Sequence, residues 1–201
     1  MTHRQRQALQ TRRLISEAAR DLFLERGYAA TTMDAIAGEA GVAVSTVYAI
    51  FKNKRAILRE IRMAWHERTR AREIYEEARD QSDPERRLTM VARANRRQWE
   101  LGASLVAIYQ GAAAADREAS AELEEALRGR REALDRVVEG MKDALRPGLD
   151  VDRAAAILRA LCRAEIYAEL AEESGWSPDE YETWLGEALK GQMLPPEAFS
   201  S

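Results

Sequence analysis

The side chains able to do chemistry in this 201-residue chain are few and scattered. Its two histidines are His3 and His66, its one thiol is Cys162, and no Cys/His cluster has metal-ligand spacing. Neither a Gly-rich phosphate loop nor a nucleophile elbow is present. The paired acids Glu124-Glu125 and Glu172-Glu173 are adjacent on helical patterns, so their side chains diverge and read as solvated faces. Enzymatic activity is therefore not expected, and no catalytic residue, metal site or cofactor is assigned. Ser45, Thr46 and Tyr48 offer a different chemistry, with Lys52 and Lys54 close behind them. A slim polar helix end fits a DNA major groove, and cations beside it meet phosphates. The bland alternative is a helical hairpin in a core, with Tyr48 an ordinary surface aromatic.

The elements that must position these residues lie in 31–51. Thr32 is placed to cap a short helix, with Asp34 in its first turn, where negative charge suits the helix dipole. Met33, Ile36, Ala37 and Ala40 give that helix one apolar face. Gly41 stops it, because glycine enters the left-handed backbone without steric cost. A second short helix spans about 44–51, with Val47, Ile50 and Phe51 inward. Two helices joined by a short turn containing Gly form a helix-turn-helix pattern.

The stretch from about 12 to 61 resembles, without a gap, the DNA-binding region of the TetR family of transcriptional regulators. The likeness runs through Arg13-Leu14-Ile15-Ser16-Glu17-Ala18-Ala19 and Leu22-Phe23-Leu24-Glu25-Arg26-Gly27-Tyr28. It continues through Thr31-Thr32-Met33-Asp34-Ala35-Ile36-Ala37, Ala40-Gly41-Val42 and Ser45-Thr46-Val47-Tyr48-Ala49-Ile50-Phe51-Lys52-Asn53-Lys54. It implies that Thr32, Val44, Ser45, Thr46, Tyr48, Lys52 and Lys54 meet DNA. Two departures matter. Ala43 stands where the family often has a capping Ser, so the helix start must be satisfied by Ser45, water or DNA phosphate. Val44 stands where a polar or basic residue is frequent; it can touch a thymine methyl and cannot read a guanine.

Ala, Leu, Glu and Arg dominate and only 5 Pro and 11 Gly interrupt them, which predicts an all-α protein of about nine helices. The net charge of −3 argues against nucleic acid until its distribution is read: residues 1–72 hold 14 Lys and Arg against 7 Asp and Glu, and residues 73–201 hold 17 against 27. A basic end on an acidic body is the asymmetry expected where one end meets phosphate. No apolar run suits a bilayer span and the N-terminus lacks an apolar leader pattern, so a cytoplasmic location and no membrane partner are expected. Cys162, alone, permits no internal disulfide.

Residues 1–10 read as a mobile basic arm, and the helical patterns then run 11–26, 53–75, 84–100, 103–115, 116–145, 150–174 and 179–193. Lys54 in the first turn of the 53–75 helix opposes the dipole and implies a nearby anion. Residues 194–201 read as frayed. The resulting division is a three-helix DNA-binding domain over 10–56 and a helical ligand-binding and dimerisation domain over 57–194.

By resemblance, the second domain encloses a ligand pocket and forms a homodimer through its last two helices. Pocket candidates are Met90, Trp99, Tyr109, Cys162, Glu165 and Tyr167, a mainly apolar set with a lone acid suited to a cationic ligand. For each of them, ordinary core packing is the competing reading, and Arg159 or Arg163 is the competing partner of Glu165. Dimer candidates are Leu158, Leu161, Tyr181, Trp184, Leu185 and Leu189. A two-fold protein binds a palindromic operator, with half-sites spaced by whole turns of the duplex. The expected protein is a homodimeric repressor released from double-stranded DNA by a small apolar or cationic effector. The alternative is a regulator controlled by a protein partner with no small-molecule effector.

Overall fold

The computed structural model describes residues 2–196, all-α, with eleven α-helices and no strand among them. The chain forms two compact units, Met1–Glu67 with Ser104–Glu124, and Arg68–Ala103 with Glu125–Ser201. This differs from a single cut after residue 56. Ile57, Leu58 and Ile61 share one core with Leu105, Ile108, Tyr109 and Ala112, so two segments distant in sequence join the first unit.

In that unit α1 is His3–Arg26, α2 is Met33–Glu39, α3 is Val44–Ile50, α4 is Lys54–Thr69 and α7 is Ala103–Ala115. Residues 2–10 are not an arm. Thr2 and Gln5 form a reciprocal capping box, and α1 runs on from His3. Extending an existing helix avoids the cost of nucleation, and Gln, Arg, Ala and Leu are good helix formers, so polar composition did not imply disorder here. Ile15, Ala19, Leu22 and Phe23 bury the inner stripe of α1. Asn53 caps α4 through its Oδ1, which accepts from the Ala56 N–H at 2.9 Å.

In the second unit α5 is Ala71–Asp80, α6 is Pro84–Glu100, α9 is Val151–Leu161, α10 is Ala164–Tyr167 and α11 is Pro178–Met193; α8, Arg117–Glu139, supplies its residues from 125 onward. α6 packs on α5 and α11, and α11 also on α9. Asp83 caps α6 through Glu85 and Arg86, Asp150 caps α9 through Arg153, and Ser177 forms a capping box with Glu180 at α11.

Three expected helices are shorter than the apolar pattern implies, each because a distant donor takes carbonyls that a continuing helix would use. The 53–75 helix breaks at Arg70, in the left-handed region at φ 50°. There Arg97 Nε donates to the Thr69 carbonyl at 2.7 Å and its Nη2 to that of Arg68 at 3.3 Å. The 150–174 helix breaks at Cys162, whose carbonyl accepts from Trp99 Nε1 at 3.2 Å and Arg130 Nη2 at 2.5 Å. Beyond α10 it continues as a π-helical turn, Ala168–Glu173. The 116–145 helix ends near Gly140, and a short 3₁₀ turn follows at Lys142–Ala144. Arg87, buried, donates through Nη1 to Val137 O at 3.1 Å and through Nε to Gln81 O at 2.9 Å. A Cβ on Gly140 would collide with this guanidinium and come within 3.3 Å of the Arg79 carbonyl. Of the stretch expected to fray, 197–201 lies outside the described residues.

Candidate nucleic-acid interface

The presentation of α3 begins with its buried side. Val47 and Phe51 are fully buried against α1, α2 and α4 residues, which fixes the opposite face outward. Thr32 Oγ1 accepts from the Ala35 N–H at 3.1 Å and starts α2 as expected. Gly41, at φ 65°, turns the chain, and the Val42 N–H returns to Ala37 O at 3.0 Å. The axis bends by 108° between α2 and α3, within the usual range for a helix-turn-helix. Ala43 precedes α3 with no side-chain cap.

Of the sequence candidates, Thr32, Ser45, Tyr48 and Lys52 are exposed, and Val44 and Thr46 are half-buried. Tyr48 is 52% exposed, a large side chain that nothing in its own unit covers. Arg12 holds this platform from behind, its guanidinium 4.7 Å from the Phe51 ring centroid and 2.7 Å from Glu60.

Lys54 is placed differently from its sequence neighbours. Its Nζ donates to Tyr28 O at 2.7 Å and Ala29 O at 3.3 Å, and lies 4.6 Å from the Tyr28 ring. Partial burial lowers its pKa. The anionic partner expected of this lysine is thus supplied in part by two carbonyls that α1 leaves behind. Tyr28 is itself buried, pushed up to about 12 by burial and by Asp116, to which its hydroxyl donates at 3.5 Å. Asp116 and the residues after it receive two arginines of α4: Arg55 pairs with Glu118 at 2.5 Å and Arg59 with Glu122 at 2.5 Å.

The six pocket candidates are divided between the two units. Tyr109 is in the core of the first unit, the other five in the second. Met90 is half-buried, while Trp99, Cys162 and Tyr167 are buried. Burial pushes the Cys162 thiol up to about 12, leaving it an inert small hydrophobe. Glu165 is exposed and held by Arg163 at 2.8 Å, which together with its own backbone N–H lowers its pKa to about 2. That removes the ground for a buried acid facing a cationic ligand.

Four of the six dimer candidates are core residues of the single chain. Leu158, Tyr181, Leu185 and Leu189 are fully buried inside one chain, filling the space between α6, α9 and α11, so they have no surface to offer a partner. Leu161 and Trp184 remain half-exposed. Sequence reasoning missed a buried polar cluster made by Tyr75, Asn95 and Arg130 beside Trp99 and Tyr181. Its one legible sign was Asn95 on the apolar stripe of α6, between Val91 and Trp99 at helical spacing.

Comparison with known proteins matches residues 15–61 to the family described as bacterial regulatory proteins, tetR family. Over that stretch, α1 to α4, the chain is similar to the DNA-binding region of that family. The matched stretch contains the α2–α3 pair. An uncharacterised HTH-type transcriptional regulator of Bacillus subtilis, YhgD, is 44% identical over 54 residues, which are 27% of this chain and 28% of that one. NalD of Pseudomonas aeruginosa, the secondary repressor of a multidrug efflux pump, has a TM-score of 0.69 at 24% identity, over 95% of this chain and 99% of its own. FadR of Bacillus subtilis, solved with stearoyl-CoA, has a TM-score of 0.64 at 23% identity, over 89% of this chain and 97% of its own. At these identities the two structures establish the fold of the chain along most of its length. No single helix among the described residues is long and apolar enough to cross a membrane.

Proposed function

We propose that this protein is a homodimeric, cytoplasmic repressor that a small molecule releases from a palindromic operator. The observation that carries the DNA role is the exposed row Ser45, Tyr48 and Lys52 standing on a fully buried Val47 and Phe51. Ser45, Thr46 and Val44 read base edges, with Tyr48, Lys52 and Thr32 on the flanking backbone. Lys54 has three donors and two serve Tyr28 and Ala29, so at most one reaches a phosphate. In the dimer, Leu161 of α9 and Trp184 of α11 lie at the contact, since both are apolar, half-exposed and on helices that pack together. Release follows from a ligand that prefers the operator-incompetent spacing of the two reading heads. The likeness to a regulator solved with stearoyl-CoA supports a ligand-controlled reading.

Binding of the full chain to the DNA flanking its own gene, followed by fluorescence anisotropy with and without candidate effectors, tests this directly. Saturable binding abolished by a compound is expected. Absence of binding at low salt would remove the repressor reading, and binding that no compound disturbs would favour control by a protein partner.

A further inference from the structure

The buried polar cluster of the second unit has one member whose charge is not answered. Arg130 Nη2 donates to Asn95 Oδ1 at 2.9 Å and to Cys162 O at 2.5 Å, both neutral acceptors. Its guanidinium lies 4.9 Å from the Trp99 ring centroid. Its Nε and the Tyr75 hydroxyl are both buried without a well-formed hydrogen bond; Arg130 is the polar neighbour of that hydroxyl and can only donate to it, so the Tyr75 O–H finds no acceptor. Among the described residues no carboxylate pairs with Arg130; Glu165, which feels its field, is already held by Arg163. The remaining groups are saturated among themselves. Trp99 Nε1 donates to Asn95 Oδ1 at 3.0 Å, and Asn95 Nδ2 donates to Tyr181 Oη at 2.6 Å.

A partly buried cation with only dipoles around it lacks the partner that makes burial tolerable. Two donors without acceptors beside that cation define what the partner must be. We propose that the effector of this regulator is a carboxylate carrying an apolar body, anchored by Arg130 Nε and the Tyr75 hydroxyl. This rests on the ligand-controlled reading given above. A guanidinium and a hydroxyl supply directed donors to the two oxygens of a carboxylate. One negative charge neutralises Arg130, whereas a phosphate dianion would leave a net charge in the interior. Trp99, Tyr167 and Tyr181 surround the cluster with aromatic surface for the apolar body. The backbone beside it is already irregular. α9 breaks at Cys162 and the π-helical turn follows six residues on, an arrangement frequent at functional sites.

The test is calorimetric titration of the full chain with benzoate, 2-naphthoate, decanoate and palmitate, each against its matched alcohol, with inorganic phosphate as the competing anion. At least one carboxylate should bind tenfold or more tightly than its alcohol. Tyr75→Phe should reduce that binding tenfold or more while changing the unliganded melting temperature little, because the hydroxyl it deletes makes no well-formed hydrogen bond. Arg130→Gln should abolish the preference for the acid. Carboxylates binding no better than alcohols, binding that survives both substitutions, phosphate binding as tightly, or no binding by any member at millimolar concentration would each overturn the proposal. Operator release is measured separately. A carboxylate that binds through Arg130 and Tyr75 but leaves operator affinity unchanged would uphold the anion site and sink the effector reading.

Discussion

At the scale of single residues, Lys52 and Lys54 show why two neighbouring lysines are not equivalent. Lys52 is exposed, and the proposed reading sets its charge against DNA phosphate. Lys52→Ala should weaken binding to all operator sequences alike and lower the slope of log affinity against log salt by about one. Tyr48→Ala should weaken binding without moving that slope, since a phenol releases no counterion. Lys54→Met should do something else first. It removes charge-assisted bonds to two carbonyls, each worth about 1.5–3 kcal/mol at most, so thermal unfolding of the first unit should shift down even without DNA. A melting temperature unchanged in Lys54→Met would return this lysine to the DNA-contact set alone. In the sequence both lysines follow α3, and the position of Lys54 in the first turn of the next helix implied a nearby anion without saying which group would meet it. Spacing does not record that the chain end of α1 lies 26 residues away in sequence and within hydrogen-bond reach of one of them.

At the scale of elements, the sequence was most legible where the determinants are local. The cap at Thr32, the turn at Gly41, the Asp83-Pro84 start of α6 and the Ser177-Pro178 start of α11 all appear in the structure where their residue types place them. It was least legible at the breaks at Arg70 and Cys162, whose causes are Arg97, Arg130 and Trp99 on other helices. The apolar stripe continues through both, so periodicity alone extends the helix. Arg70 bears the cost of the first break, as a non-glycine residue with positive φ. Arg70→Gly should therefore leave stability unchanged or raise it by up to about 1 kcal/mol, while Arg72→Gly, in the first turn of α5, should lower it by about 0.5 kcal/mol. Denaturant midpoints of the two variants decide this; a loss at Arg70 as large as at Arg72 would mean that the break is not a fixed feature of the chain.

At the scale of the whole molecule, the basic excess lies before residue 72 and the acidic excess beyond it, so the proposed operator binding should fall steeply with added salt. Assembly adds the second condition. Leu161→Glu and Trp184→Glu should yield folded monomers by sedimentation and lose most operator affinity. Leu185→Ala should instead lower stability by about 2–5 kcal/mol, as a deletion inside a closed core. Of the six dimer candidates on α9 and α11, Leu158, Tyr181, Leu185 and Leu189 are buried within the chain, whereas Leu161 and Trp184 are half-exposed, so those helices carry two apolar faces. One closes the core of the chain and a narrower one is left outside it.

The closure around Arg87 has a consequence for how this chain can diverge. Gly140 and Arg87 occupy one volume, and the guanidinium cannot retreat without abandoning the carbonyls of Val137 and Gln81. Gly140→Ala alone should cost about 1–3 kcal/mol, as overpacking does. Paired with Arg87→Leu, the added methyl should find its space and recover part of that loss. The two sites, 53 positions apart, thus behave as a single heritable unit: descendants should keep glycine opposite arginine or exchange both, and the mixed intermediates should be rare.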